Sequence, residues 1–192
     1  MSNPIVTVII TSYNHEKYLR ECLDSALNQD FTDCEFIVID DNSKDSTHEI
    51  LKEYASQMQI VMNTENRGTY RVLNQGLEMA EGKYCAILNS DDVWLNGKIK
   101  KQVELMETDN KMSFCHTYGR FIDANGKEID GKPMGFAFPR TPTGNVLSIF
   151  VANNSAIASA VMMRTETARK VGGFDASFKN LGDWDMWLKL SE

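Results

Sequence analysis

"PIVTVIITSYNHEKYLRECLDSALNQDFTDCEFIVIDDNS", residues 4 to 43, decides the fold. It contains two short β-branched runs, "IVTVII" at 5–10 and "EFIVI" at 35–39, each apolar enough to be buried on both faces. Between them Tyr18, Leu19, Cys22, Leu23, Ala26 and Leu27 recur at helical spacing, and Asn14 is placed to cap that helix. Strand, helix and strand in so short a span make a β-α-β unit, which builds parallel sheets through right-handed crossovers.

The alternation continues outward from this unit. In "DSTHEILKEYASQM" (45–58), Ile50, Leu51, Tyr54 and Met58 share one helical face, and Ser46 with Glu49 has the spacing of a capping box. A third strand is expected at 59–63, a helix at 69–80 stopped by Gly82, and a fourth strand at 83–89 that opens into "NSDD". The fold class is α/β, a Rossmann-like, mostly parallel central sheet flanked by helices.

Beyond residue 95 the pattern becomes mixed. A helix from 98 carries Ile99, Val103 and Met106; "MSFCHTYGRFID" (112–123) alternates like a strand and ends at the turn signal "DANGK". Residues 130–145 hold three of the four prolines and read as a long functional loop or flap. A return strand at 155–165, a short helix in "ETARKVGG" closed by glycine, and a final helix in "DWDMWLKL" complete the chain. One domain over 1–192 is expected, with a regular half at 1–95 and a mixed half at 96–192.

Composition narrows the partners. A net charge of −7 and a pI near 5.0 argue against nucleic acid, because Lys and Arg concentrate only in "GKIKKQ" at 97–102, the solvated start of a helix. The four cysteines, Cys22, Cys34, Cys85 and Cys115, are widely spaced within apolar patterns and read as reduced, buried thiols rather than a zinc site or disulfide framework. No apolar run approaches the roughly 18 residues needed to span a bilayer. The expected location is the cytoplasm, including the inner face of the membrane.

Ligands of an open parallel sheet collect beyond the carboxyl ends of its strands. Three such ends are polar here: "TSYNH" after the first strand, "DDNSKDS" after the second and "NSDD" after the fourth. Neither a dinucleotide fingerprint nor a P-loop is present, which disfavours dehydrogenase and ATPase chemistry. Asp91 and Asp92, adjacent at a strand exit, repel each other unless something positive faces them, and a magnesium or manganese ion bridging a diphosphate would do so. Turn and capping roles explain each acidic pair separately, and only their joint placement favours a ligand site. Arg67 and Arg71 are within reach of a phosphate from the turn after the third strand, or are a solvated helix start. Trp94 and Trp184 are either sugar-stacking or packed; His116 reads as packed, and His15 and His48 as exposed first-turn helix residues.

As an ordered set, "VIITSYNHEKYLRECLDSALNQDF" (8–31), "FIVIDDNSKDST" (36–47), "NRGTYRVLNQGLEMAEGKYCAILNSDD" (66–92), "VGGFD" (171–175) and "GDWDMWLKL" (182–190) resemble the inverting, GT-A-fold glycosyltransferases of family 2. The resemblance implies that Thr11 and Tyr13 help seat the base and ribose of a nucleoside diphosphate sugar, with Asp41 accepting a hydrogen bond from the base. It implies Asp91 at the ribose or sugar, Asp92 on Mn²⁺ or Mg²⁺, and Asp183 as catalytic base. A strict D-x-D is absent, and Gly182 stands where the family commonly has a glutamate before the base. Asp185 reads as structural.

The implied activity is transfer of a sugar, from UDP-sugar in the first instance, to a carbohydrate or lipid-linked acceptor in cell-envelope or exopolysaccharide synthesis, and the resemblance implies that 1–95 is the nucleotide-binding half and 96–192 the acceptor-side half. The chain stops nine residues after Asp183, so a shortened acceptor side is expected. Two other classes stay open: a sugar nucleotidyltransferase, disfavoured because "TSYNHEKY" has no glycine-rich basic triphosphate loop, and a non-catalytic or truncated sugar-nucleotide-binding module.

Overall fold

The computed structural model describes residues 3–129 and 143–192. Its elements in chain order are β1 (Val6–Ser12), α1 (Leu19–Leu27), β2 (Cys34–Asp40), α2 (Thr47–Tyr54), β3 (Gln59–Met62), α3 (Thr69–Met79), β4 (Tyr84–Asn89) and α4 (Lys98–Thr108). There follow β5 (Phe114–His116), α5 (Leu147–Ala152), a 3₁₀ turn (Ala158–Ala160), β6 (Val161–Arg164), α6 (Thr165–Lys170) and α7 (Gly182–Ser191).

The strands form one six-stranded sheet in the order β3-β2-β1-β4-β6-β5. The first four are parallel, while β6 runs antiparallel to both β4 and β5. Strands buried on two faces write their alternation into two separate cores. Val6, Val8 and Ile10 of β1, with Tyr84, Ala86 and Leu88 of β4, join Leu19, Leu23, Leu51 and Ile99 from α1, α2 and α4. Ile9, Cys85 and Ile87 face the other way, toward Leu73 and Leu77 of α3, Ala168 of α6 and Met186, Trp187 and Leu190 of α7. Each fully buried large aliphatic side chain contributes roughly 1.5–3 kcal/mol, so the alternation fixes the register.

Two arginines close helix ends that sequence periodicity leaves open. Arg164 donates to the carbonyls of Met106, Asp109 and Met112 at the end of α4, and Arg169 to those of Leu77, Glu78 and Ala80 at the end of α3.

Several local expectations are corrected. Asn14 does not cap α1; it has φ 55°, receives the Lys44 N–H on its Oδ1, and ties the β1 exit to the β2 exit. Ser46 makes no side-chain cap, and the Ser46 N–H donates instead to Glu16, a carboxylate from the other crossover. The strand expected over 112–123 is regular only at Phe114–His116, followed by a small bridge between Ile122 and Glu128 around the turn. The return strand is shorter than expected because residues 158–160 wind into a 3₁₀ turn. Of the expected 130–145 loop, residues 130–142 lie outside the described residues.

The sheet changes winding direction at β1, which has β2 on one side and β4 on the other. Crossovers that depart to opposite sides leave a crevice at the carboxyl ends of the two strands, the place where open α/β sheets hold ligands.

Candidate active site

The crevice is real, a cleft of about 350 Å³ lined by residues that include Thr11, Tyr13, His15, Asp41, Gly68 and Asp91. It continues the β ladder: the Asp41 N–H donates to Ser12 and the Ser90 N–H to Thr11, so both acidic turns leave the sheet already hydrogen-bonded. Of the residues implied by resemblance, Thr11, Tyr13, Asp41 and Asp91 are therefore brought together. Tyr13 is exposed at the rim, and Asn66, Thr69, Val72 and Asn89 complete the wall.

The two acids after β2 divide their labour. Asp40 is fully buried and holds its own turn, accepting from the Ser43 N–H at 2.9 Å, the Ser43 hydroxyl at 2.5 Å and His48 Nε2 at 2.8 Å. Asp41 reaches across to the next crossover. Its carboxylate accepts the N–H groups of Arg67 at 2.9 and 3.0 Å and Gly68 at 2.8 Å, and the Asn63 amide at 3.1 Å. Gly68, at φ 85°, is the N-cap of α3, so Asp41 supplies the acceptor that the helix start lacks.

At the β4 exit Asp91 is exposed and lines both this cleft and a neighbouring one of about 370 Å³ formed with Tyr18, Glu21, Val93, Ile122 and Asn125. Asp92 turns inward and is half-buried, with Oδ2 receiving the Ser159 hydroxyl at 2.5 Å. Burial, reinforced by the charge of Asp91, holds its carboxyl above the ordinary aspartate value. Ser159 also accepts the Asn89 N–H at 3.0 Å.

Asp183 is half-buried in the first turn of α7 and receives the Asn154 amide on Oδ2 at 3.1 Å. Asn154 and Ser159 belong to the same short segment between α5 and β6. One segment thus holds both the Asp92 and the Asp183 carboxylates. Gly182, where the family commonly has a glutamate, lies under the Tyr70 ring: a Cβ there would be 2.7 Å from Cε2 of Tyr70, so a larger residue would have to displace that ring. Asp185 pairs with Lys189 at 2.6 Å along α7, as a structural residue does.

Other expectations separate cleanly. Arg71 is exposed, is not among the residues lining the cleft, and donates back to the Arg67 carbonyl at 3.3 Å. Trp94 is buried, with its indole N–H on the Ser159 carbonyl at 2.7 Å, which removes it as a stacking platform. Trp184 donates to the Phe150 carbonyl at 2.5 Å. His116 packs edge-on to Phe150, and burial lowers its pKa. The cysteines are poor nucleophiles, since burial pushes the thiols of Cys34 and Cys85 up to about 12 and Cys115 up to about 11.

His15, expected as an exposed first-turn helix residue, is instead half-buried ahead of α1; its Nδ1 lies 2.8 Å from the Ser90 hydroxyl, and it bridges the β1 and β4 exits inside the cleft. Its position three residues beyond the end of β1 was the available signal. Asn154 and Ser159 carried none, since their role is entirely tertiary.

Residues 7–171 match the model of Glycosyl transferase family 2. This chain belongs to that family. An uncharacterized glycosyltransferase of Methanocaldococcus jannaschii is 29% identical over 195 residues, covering 98% of this chain and 65% of that protein. The Escherichia coli UDP-Glc:alpha-D-GlcNAc-diphosphoundecaprenol beta-1,3-glucosyltransferase WfgD is 29% identical over 191 residues, covering 99% of the chain and 71% of WfgD.

Among solved structures, S. aureus TarS 1-349 in complex with UDP superposes with a TM-score of 0.76 at 21% identity, over 97% of this chain and 54% of that one. The mannosyltransferase PcManGT from Pyrobaculum calidifontis, in complex with GDP-Man and Mn²⁺, gives 0.76 at 23% identity, over 99% and 52%. Both share the GT-A fold that the family implies. The chain spans about two thirds of the Methanocaldococcus relative and about half of these two structures. No helix among the described residues is long and apolar enough to cross a membrane.

Proposed function

We propose that this chain is an inverting, metal-dependent glycosyltransferase domain that moves a sugar from a nucleoside diphosphate sugar to a carbohydrate or lipid-linked acceptor. UDP-sugar is the first donor to test, given the UDP complex of TarS and the donor named for WfgD. The setting is cell-envelope or polysaccharide assembly at the cytoplasmic side of the membrane, and the whole of residues 1–192 acts as one catalytic unit. The observation that carries the reading is the single segment Asn154–Ser159, which binds Asp92 at one end and Asp183 at the other.

In this reading Thr11, Tyr13 and Asp91 contact base, ribose or sugar, and Asp41 shapes the pocket through the loop that it anchors. Asp183 takes the proton from the acceptor hydroxyl as that oxygen bonds to the anomeric carbon. The bond from that carbon to the diphosphate oxygen breaks on the opposite face, which inverts the configuration. Asn154 holds one oxygen of Asp183 and leaves the other available for the proton.

The acids at the β4 exit fit a divalent cation of the Mn²⁺ or Mg²⁺ kind. Asp92 is half-buried beside a second carboxylate with no cation among its hydrogen-bond partners, and such ions are held by one or two carboxylates plus substrate phosphates. A fully protein-built cage does not fit, because no three His, Cys, Asp or Glu residues converge among the described residues. Bound at Asp92, the ion would neutralise charge developing on the leaving diphosphate.

The test is calorimetric titration of UDP, GDP, CDP and ADP with and without Mn²⁺, on wild type and Asp92→Ala, with transfer assayed in Asp183→Asn. Expected are metal-dependent binding of one diphosphate, its loss in Asp92→Ala, and normal binding without transfer in Asp183→Asn. Pyrophosphate release from a nucleoside triphosphate and a sugar 1-phosphate would instead establish a nucleotidyltransferase. Binding without transfer or hydrolysis by the wild type would establish a non-catalytic module.

A further inference from the structure

The helix that carries Asp183 starts without a cap of its own. Leu181 occupies the N-cap position of α7 at φ 66°, and no side chain of the cap residue satisfies the first free N–H groups. Tyr70, from the first turn of α3, lies over them. Its ring lies directly on Gly182, leaving no room for a Cβ, and its hydroxyl oxygen faces the N–H groups of Gly182 and Asp183.

The ring is fixed from behind. Phe174 stacks on it at 6.1 Å with planes 14° apart. Phe174 is in turn gripped by Asn74 of α3, which accepts the Phe174 N–H at 2.8 Å and donates to the Phe174 carbonyl at 2.7 Å. Burial and the neighbouring Asp183 charge raise the phenol pKa, so the group stays neutral near pH 7.

The other side of the same helical turn belongs to the cleft. Gly68, Thr69 and Val72 line it, and the N–H groups of Arg67 and Gly68 are held by Asp41. A single turn of α3 therefore touches the nucleotide pocket with one face and the start of α7 with a side chain from another. A turn hydrogen-bonded at its start cannot shift one contact without shifting the other.

We propose that Tyr70 is a positioning residue that sets the Asp183 carboxylate and couples its position to occupancy of the nucleotide cleft through the first turn of α3. The catalytic consequence rests on the reading of Asp183 as base, whereas the structural coupling does not. A displacement of about 1 Å at a reacting group can cost on the order of 100-fold in rate, so the contact of Tyr70 with the start of α7 is enough to matter.

Backbone amide hydrogen exchange of residues 181–187 tests this in wild type, Tyr70→Phe and Tyr70→Ala, each with and without UDP and Mn²⁺. Without nucleotide, the Gly182 and Asp183 amides are expected to exchange about tenfold faster in Tyr70→Phe, at unchanged global stability, because only the hydroxyl is removed. With nucleotide, protection of these amides is expected to rise in wild type and not in Tyr70→Ala, while UDP affinity changes by less than about twofold. In transfer assays Tyr70→Ala should lower kcat with donor KM unchanged, and Tyr70→Phe should recover part of the loss.

Identical exchange in all three proteins would overturn the positioning role. A rise in protection on UDP binding that survives in Tyr70→Ala would overturn the coupling. Failure of wild type to bind any nucleotide would sink the functional reading, and the nucleotide-free comparison of Tyr70→Phe would still decide whether Tyr70 caps α7.

Discussion

Ser159 donates its hydroxyl proton to Asp92 at 2.5 Å while accepting the Asn89 N–H at 3.0 Å. One oxygen thus ties the inward acid of the β4 exit to the last residue of the strand that delivers it. Residues that orient a metal-binding carboxylate commonly influence affinity by about 10–100-fold. If Asp92 holds the ion as proposed, Ser159→Ala is expected to weaken Mn²⁺-dependent UDP binding by that factor. It also leaves the Asn89 N–H without its acceptor, at a cost of about 1–3 kcal/mol. Calorimetry and urea unfolding read the two effects separately, and unchanged affinity would show that Asp92 needs no orienting partner.

Asp41 supports the adjoining wall. Its carboxylate takes the N–H groups that open α3, so Asp41→Asn substitutes an amide where charge and acceptors are needed. The expected result is a stability loss of roughly 2 kcal/mol, since hydrogen bonds to charged groups are worth about 1.5–3 kcal/mol. UDP affinity should fall with it because Gly68 and Thr69 line the cleft. Asp40→Asn is the control: it should destabilise the β2 turn and affect UDP less, because Asp40, unlike Asp41, is not among the residues lining the cleft.

Elements that owe their form to two-sided burial were legible in the sequence, and elements that owe it to distant partners were not. β1, β2 and β4 write their buried faces as continuous β-branched or apolar runs, and α1, α2 and α4 repeat apolar residues at helical spacing. By contrast α5 buries only Phe150 among six residues, too little to produce a periodic signal. Asn14 and Ser46 had the right residue types for caps, but contacts between the β1 and β2 exits took the groups a local cap would use: the Asn14 side-chain oxygen accepts the Lys44 N–H, and the Ser46 N–H donates to Glu16. The rim of the site was readable because strand exits are fixed by topology. Its supports, Ser159, Asn154 and Tyr70, were not, because each acts on a residue far away in the chain. Gly182 shows the difference most directly: in the sequence it is a missing glutamate, and in the structure it is the residue on which the Tyr70 ring rests, with any Cβ requiring that ring to move.

Gly82 faces a similar steric limit in the scaffold. A Cβ there would lie 2.4 Å from the Thr7 backbone nitrogen and 2.7 Å from the Val6 carbonyl carbon. The Gly82 N–H also donates to the Thr7 hydroxyl, and its carbonyl accepts from Thr165 at 2.6 Å, so neither chain can withdraw without breaking a buried hydrogen bond. Gly82→Ala is expected to cost at least about 3 kcal/mol, the upper range for overpacking, because β1 backbone must move. Thermal or urea unfolding checks it; a loss under about 1 kcal/mol would mean that β1 and β4 yield more easily than their pairing implies.

Lys98, expected in the solvated start of a helix, is instead buried and makes a pH-dependent prediction, although it does not line the cleft. Burial pushes its pKa down to about 7, although the Trp94 ring at 4.0 Å and the Gln102 side-chain oxygen at 2.7 Å favour the charged form. The folded pKa is thus below the unfolded one, near 10.4 for lysine. Between the two, the unfolded chain binds more protons, so stability rises with pH there, by up to about 1.4 kcal/mol per unit. The cost of burying Lys98 is full below about pH 7 and fades toward the unfolded pKa. Lys98→Met keeps a similar volume without a charge. Its urea midpoint should therefore exceed that of wild type most at about pH 6, and the difference should shrink steadily toward about pH 9.5. A difference that stays constant across that range would mean that Lys98 remains charged inside the fold, held by Trp94 and Gln102 against the cost of burial.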